Sequence, residues 1–328
     1  MRGLAIILVV IFHYVYSRVS GTWLGALIGP FGLGGVTLFF FLSGFLMERH
    51  LVRDGDLFRY FSRRFFRIIP AYLVCLVVVL LIQKTNYSGA STTTYDFVVN
   101  AVLMQDLFGV PLMLGVIWTL LIETKFYFLA PFVMRAGTAT LRVAPYACIA
   151  ANAGVFLFRG QASTFLTYLT FCFVGMQFGP WSRGEMPGLA LAALVLISAA
   201  ATAVFGSYFV LGLAFFVVLN AVIMAFGIRF FPTLPVLPFV GKVSYSWYLY
   251  HTAIGYPLAF ALGVWLGETT WMQVIIVLAA TSATLFVAWL SFIIVENPAI
   301  VFGRALEQNL RPSSSNFGST SKSSPPAT

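Results

Sequence analysis

The sequence predicts an all-α fold: a polytopic transmembrane helical bundle of about ten spans with both termini in the cytoplasm. Three observations predict it. The 328 residues are 60% hydrophobic and only 9% charged, whereas a soluble domain carries about a quarter charged residues to cover its surface in water. Apolar runs of roughly twenty residues, the length that crosses a hydrocarbon layer as a helix, recur between polar or Gly/Pro breaks. Basic residues segregate into alternate loops, as the positive-inside rule requires.

Taken in order, runs near 3–19, 34–50, 68–84, 115–135 and 141–158 give the first five spans. Runs near 162–181, 187–205, 207–227, 237–262 and 272–296 give the second five. The first run is long and has no small-residue cleavage site after it, so it reads as a span and not as a cleaved signal. The stretch 96–112 ("DFVVNAVLMQDLFGVPL") is apolar but short and holds Asp96 and Asp106; it is expected to be re-entrant or interfacial. Residues 1–300 form the membrane domain and 301–328 a cytoplasmic tail, whose Ser/Pro-rich stretch 312–328 cannot bury a core and is expected to be disordered. No internal repeat is visible.

With the N-terminus inside, fourteen basic residues fall on cytoplasmic segments and three (Arg18, Lys84, Arg159) on outer ones, leaving Lys125 and Lys242 within spans. The net charge of +9 then reports topology, and no nucleic-acid partner is expected. Cys75, Cys148 and Cys172 lie inside apolar runs without metal or redox spacing, so they read as packing residues. Neither a metal nor a bound cofactor is expected.

Ionisable groups inside spans are costly, which makes them functional candidates: His13, Glu123, Lys125, Lys242, His251 and Glu296. Eleven helical steps bring His13 back to within about 20° of Arg2 and raise it about 16 Å along the axis. A long ligand anchored at Arg2 would thus present its far end to His13. The imidazole is either a general base or a hydrogen-bonding partner of a neighbouring helix. In "RYFSRRFFRIIP" (59–70), Arg64 and Arg67 share a helical face. They either anchor the loop by the positive-inside rule or clamp phosphate with their guanidinium forks. Ser244, Tyr248 and His251, at spacings of four and three, share another face and either bond between helices or bind an acceptor. Glu296 is expected to pair with a basic loop residue, and Ser43 with Gly44 to permit close helix approach.

The blocks "RGLAIILVVIFH", "GGVTLFFFLSGFL", "RRFFRIIP", "WTLLIETKFYFLAP", "VGKVSYSWYLYH" and "VENP" occur in this order from Arg2 to Pro298. Together they resemble the acyltransferase-3 family of bacterial integral-membrane O-acyltransferases. The resemblance implies acyl-CoA, commonly acetyl-CoA, as a cytoplasmic co-substrate, and as acceptor a hydroxyl of a glycan or lipid-linked saccharide. Family acceptors are lipopolysaccharide, exopolysaccharide, Nod factors and, for a few members, macrolides. It also implies a multi-pass protein of the bacterial inner membrane. Arg2 and His13 match the family's arginine and essential histidine, and Arg64 and Arg67 its basic segment. Glu123 matches its acidic residue, with Trp118 and Tyr127 beside it. Ser244, Tyr245, Tyr248 and His251 fall in its Ser-Tyr…His block.

Two departures stand out: Thr119 replaces the usual serine, and Lys125 stands where an uncharged residue is common. The family arginine normally follows a short leader, and here it is residue 2. No appended esterase-like domain is visible, so the chemistry is expected within the membrane part. The expected mechanism places the donor phosphates at Arg2, Arg64 and Arg67. His13 acts as base on the acceptor hydroxyl, and Glu123 orients the imidazole or binds the sugar. The alternative is a proton-coupled transporter or flippase of a lipid-linked glycan, which would have no use for acyl-CoA.

Overall fold

The computed structural model describes residues 1–19, 21–84, 92–205, 210–230, 236–267 and 269–309. Among them every regular element is helical. The order is α1 (Arg2–Ile11), a π-helical turn Phe12–Tyr16, α2 (Ser17–Val19), α3 (Trp23–Asp54) and α4 (Leu57–Lys84). Then come α5 (Thr94–Ala101), α6 (Gln105–Phe108), α7 (Ile117–Arg135), α8 (Thr138–Arg159), α9 (Thr164–Ser182) and α10 (Gly188–Phe205). The chain continues with α11 (Val210–Phe230), α12 (Val236–Ala253), α13 (Gly255–Leu266) and α14 (Thr270–Ser291). A second π-turn, Phe292–Glu296, leads into α15 (Asn297–Asn309).

Seven helices are long and apolar enough to cross a membrane, and α12 with α13, bent by 45°, make an eighth if they count as one span. Two of the expected spans fall outside this set for physical reasons. The helix Arg2–Tyr16 is apolar but shorter. Helix α9 carries Gln177 and three threonines, and its residues Tyr168–Pro180 are all buried. A helix enclosed by other helices need not match the lipid. The expected interfacial stretch is two short helices: Thr93 and Asp96 cap α5 reciprocally, and the bonds from Thr93 hold the Asp96 carboxyl below its usual range. The buried Asn100 ties this stretch down, donating to Asp96 O (2.8 Å) and Pro111 O (3.0 Å) and accepting from Gln105 Nε2 and Met113 N.

Glycines let the central helices touch. A Cβ on Gly44 (α3) would stand 1.9 Å from the Cys172 carbonyl of α9, and one on Gly175 (α9) 2.2 Å from the Phe41 carbonyl. This bears out the packing role expected at Gly44. Beside that contact the fully buried Glu48 takes a forked bond from Arg183, 2.6 Å at Oε1 and 3.3 Å at Oε2. Residues 301–309, expected as the start of the tail, are helical, and Gly303 seats α15 on the Phe66 ring of α4. The stretch 312–328 lies outside the described residues.

Candidate functional site

Two close approaches on one helix pair place the site. Gly3 of α1 packs against the α12 backbone, where a Cβ would meet Leu237 O at 2.7 Å and Gly241 N at 3.3 Å. Farther along, His251 Nε2 of α12 lies 3.3 Å from His13 Nδ1. Helices α1 and α12 therefore run side by side in the same direction, with Arg2 facing α12 near Gly241 and His13 facing it near His251. The π-turn begins at Phe12, where the α-register ends and the imidazole is re-aimed; single π-turns of this kind often mark functional positions. The second one ends on Glu296.

Ring-nitrogen contacts fix the tautomers. His251 Nδ1 lies 2.7 Å from Tyr248 O and 3.2 Å from Trp247 O, so Nδ1 carries the proton and Nε2 the lone pair. His13 Nδ1 lies 2.9 Å from Val9 O and faces that His251 lone pair. It is thus an N–H, which puts the His13 lone pair on Nε2. Tyr14 secures the partner: its hydroxyl donates to His251 O at 2.6 Å and lies 3.2 Å from Thr284 Oγ1, which also accepts from Trp247 Nε1. The Tyr14 hydroxyl satisfies a carbonyl at the bend between α12 and α13, where Gly255 leaves room for it. Tyr14→Phe strands the buried His251 carbonyl and is expected to cost about 1–3 kcal/mol, read as a lower melting temperature in detergent.

Below the histidine pair a narrow cavity opens between α1, α3, α4, α7 and α12, with about 780 Å³ of empty space when the part open to solvent is included. Arg2, Arg67, Glu123, Tyr127, Ser244 and Tyr248 are among its walls, and Trp118, His13 and His251 are not. Thr119, Glu123 and Tyr127, one turn apart, form the α7 wall; Ser244 and Tyr248 form the α12 wall. Glu123 Oε1 accepts from both Ser43 Oγ and Tyr127 Oη. Ser43 therefore holds a carboxylate as well as standing beside the packing glycine. These bonds place Glu123 at the arginine end, whereas the described Nδ1 bonds of His13 go to Val9 and His251. Tyr248 donates to Val116 O (3.0 Å), lies 2.6 Å from Thr119 Oγ1, and has its ring 5.5 Å from that of His251. It marks the histidine end of the cavity. Ser244 bonds its own helix at Gly241 O, and Trp118 stacks on Tyr168 at 5.0 Å.

The other end is cationic. Arg2, Arg64 and Arg67 lie within electrostatic range of one another and of Glu123. Arg64 sits 5.4 Å over the Tyr127 ring, and its buried Nε has no hydrogen-bond partner among the described residues. Glu296 is buried, accepts from Ser246 Oγ at 2.8 Å, and has Arg67 and Arg2 as its nearest cations. A groove of His50, Arg63, Arg64, Arg67 and Arg304 continues outward, countered by Glu307, which pairs with Arg63 at 3.1 Å. Arg67 lines both spaces. Lys125 pairs with Asp106, and Lys242 is exposed. Among the described residues no three His, Cys, Asp or Glu side chains gather as a metal site needs. Sequence reasoning missed Tyr14, Ser43 as a carboxylate partner, and the pairing of the two histidines. Only the adjacency of Tyr14 to His13 signals any of these.

The profile of the acyltransferase domain matches residues 1–293. The chain is 31% identical over 150 residues to the peptidoglycan O-acetyltransferase OatA of Listeria monocytogenes, covering 40% of this chain and 22% of that protein. It is 28% identical over 151 residues to nodulation protein 10 of Rhizobium leguminosarum bv. viciae, covering 38% and 41%. It is 31% identical over 101 residues to a putative acetyltransferase of Acidianus two-tailed virus, covering 31% and 30%. Each match thus spans less than half of the relative's length. No solved structure matches the chain. With a profile that covers nearly all of it, this polytopic helical membrane protein belongs to the acyltransferase-3 family.

Proposed function

We propose that the protein transfers an acyl group, acetyl first among them, from cytoplasmic acyl-CoA to a hydroxyl of a cell-surface or secreted glycan. The observation that carries this reading is Arg67. It lines both a groove rich in arginine and a mostly apolar cavity whose Tyr248 wall lies against the His251 ring. A cationic groove that narrows into such a cavity suits a ligand with phosphates at one end and a neutral reactive group at the other. Acyl-CoA has that form. The orphaned Arg64 Nε supplies a donor to the phosphates, and Arg2 stands about 16 Å along its helix from His13. The similarity to an O-acetyltransferase of peptidoglycan supports a glycan acceptor. The excess of basic residues on one set of loops supports cytoplasmic termini and an inner-membrane location.

In this mechanism His13 Nε2 takes the proton of the acceptor hydroxyl as its oxygen attacks the thioester carbonyl. The C–O bond forms and the C–S bond breaks. The sulfur leaves as thiolate and takes the proton back from His13, giving acylated glycan and free CoA thiol. Glu123, held by Ser43 and Tyr127, balances the arginines between donor cycles. An acyl-histidine intermediate is the variant, and a labelled acyl group trapped on His13 without acceptor would establish it.

Thermal shift in nanodiscs tests the donor. Acetyl-CoA at a hundred times its dissociation constant stabilises a protein by about 2.7 kcal/mol. That shift is expected for wild type and for His13→Ala, and is expected to fall in Arg67→Ala and Arg64→Ala, with ATP as the control for generic phosphate binding. An absence of any shift with acyl-CoA would favour the carrier reading of the histidine pair.

A further inference from the structure

A second cavity lies apart from the donor path, with about 1220 Å³ of empty space between α3, α8, α9, α10 and α11. Its described lining holds no charged side chain. Instead it presents hydroxyls on facing helices: Thr164, Thr167 and Thr170 on α9, and Ser198 and Thr202 on α10. The protons of four of them are already committed. Thr167 donates to Ser163 O (3.0 Å), Thr170 to Leu166 O (2.8 Å), Ser198 to Leu194 O (2.8 Å) and Thr202 to Ser198 O (2.7 Å). Each of these oxygens is thereby left as an acceptor. Asn152 is fixed between Thr167 Oγ1 (3.0 Å) and Ser163 N (2.7 Å), which stiffens the α8–α9 side of the wall.

Two bland explanations fail on these facts. Hydroxyls that served only to pack helices would be covered by the partner helix; Thr170 and Ser198 are covered in that way, whereas Thr164, Thr167 and Thr202 border open space. A lipid-facing groove would be lined by apolar side chains, because polar groups exposed to hydrocarbon are costly. The remaining walls are aliphatic residues, Gln161 and two aromatic pairs: Phe156 and Phe205 with rings 5.4 Å apart, and Tyr168 and Phe171 at 5.5 Å. Fixed acceptors beside aromatic faces, with no cation or anion, fit a ligand that carries several hydroxyl donors on an uncharged body with C–H faces. They do not fit a phosphate or a nucleotide.

Position agrees with that chemistry. Leu33 lines this cavity and His50 the basic groove, and both lie on α3, so the two openings are about 25 Å apart along one helix. The Tyr168 ring lies 5.0 Å from that of Phe40, which lines the central cavity. These two rings in contact form the wall between the two spaces. We infer that this cavity is a binding site for an uncharged saccharide, the hydroxyl-bearing acceptor, entering from the end opposite the donor groove. As an acceptor site it rests on the acyl-transfer reading above.

The test is protection of an introduced thiol in the full chain in nanodiscs, because Cys75, Cys148 and Cys172 are buried. Thr202→Cys is labelled with N-ethylmaleimide as chitotetraose, a neutral N-acetylglucosamine oligomer, is added. At about ten times its dissociation constant the saccharide is expected to slow labelling about tenfold, the factor 1 + [L]/Kd. Val204→Cys, on an exposed position of the same helix (67% exposed), is expected to label alike with and without it. Thr202→Cys labelling that stays constant up to the saccharide's solubility limit overturns the site, and so does equal slowing at both positions. In the turnover assay Thr202→Val is expected to raise the KM for saccharide and leave that for acetyl-CoA unchanged. Equal saccharide KM values with measurable turnover also overturn it. Loss of acetyl-CoA binding in the thermal-shift assay would instead remove the acyl-transfer reading and leave the protection result standing.

Discussion

His13→Ala is expected to lower acyl transfer, followed as release of CoA thiol, by about 10²–10⁴-fold, the usual contribution of a positioned general base. Acetyl-CoA should still raise the variant's melting temperature. The two readouts separate because the residues divide along α1. Arg2 stands in the cationic end of the cavity, while His13 sits past Tyr248 with its Nδ1–H directed at Val9 O and His251 Nε2. With that proton fixed, the basic lone pair on Nε2 is the one feature of the ring that alanine removes from the chemistry. His251→Ala deletes one described acceptor of the Nδ1–H and keeps Val9 O. Its expected loss is smaller, about tenfold, the value of roughly one hydrogen bond. Transfer by His13→Ala within threefold of wild type would refute the assignment of the base.

How far these assignments were legible in the sequence depended on the range of the interaction. The shared face of Arg64 and Arg67 is a helical periodicity that the structure keeps, and Arg2 and His13 both face α12, although the π-turn at Phe12–Tyr16 re-aims the imidazole. The candidates near bilayer depth stand out because a polar group there is costly whatever its neighbours. Helix adjacency is a different matter. Nothing local in "SYSWYLYH" shows that His251 meets His13, because that meeting depends on Gly3 lying against α12, some 240 residues away in sequence. Glu48 illustrates the same limit: in "MERH" it reads as the polar end of a span, yet it is enclosed and forked to Arg183. Helix α9, expected as a span, falls outside the set apolar enough to cross a membrane, and its threonines and Gln177 are compatible with a place inside the bundle, where Tyr168–Pro180 are all buried. Ser43 was legible as a packing position, but its bond to Glu123 requires the placement of α7 against α3.

The largest effect on stability is expected where α3 crosses α9. A methyl group added at Gly44 would stand 1.9 Å from the Cys172 carbonyl oxygen and 2.8 Å from the Met176 amide nitrogen. Both are backbone atoms, so no side-chain rotation relieves the contact, and the helices must separate. Overpacking of this kind costs about 1–3 kcal/mol and at times more. At Gly44 the upper end is expected, because the displaced segment includes Ser43, whose hydroxyl bonds Glu123, and the fully buried Glu48, whose partner Arg183 lies half-buried at the next turn. Leaving the Glu48 carboxylate buried without that partner adds its own penalty. Gly44→Ala should therefore lower the melting temperature in detergent strongly and reduce folded yield, and Gly175→Ala should do the same from the α9 side. Gly154, in α8 with nothing within 4 Å of an added Cβ, gives the contrast: Gly154→Ala should be neutral or stabilise by up to about 1 kcal/mol, the helix-propensity gain over glycine. Equal melting temperatures for the Gly44 and Gly154 variants would mean that α3 and α9 do not cross in contact. Glu123 would then lose the scaffold that sets it at the arginine end of the cavity.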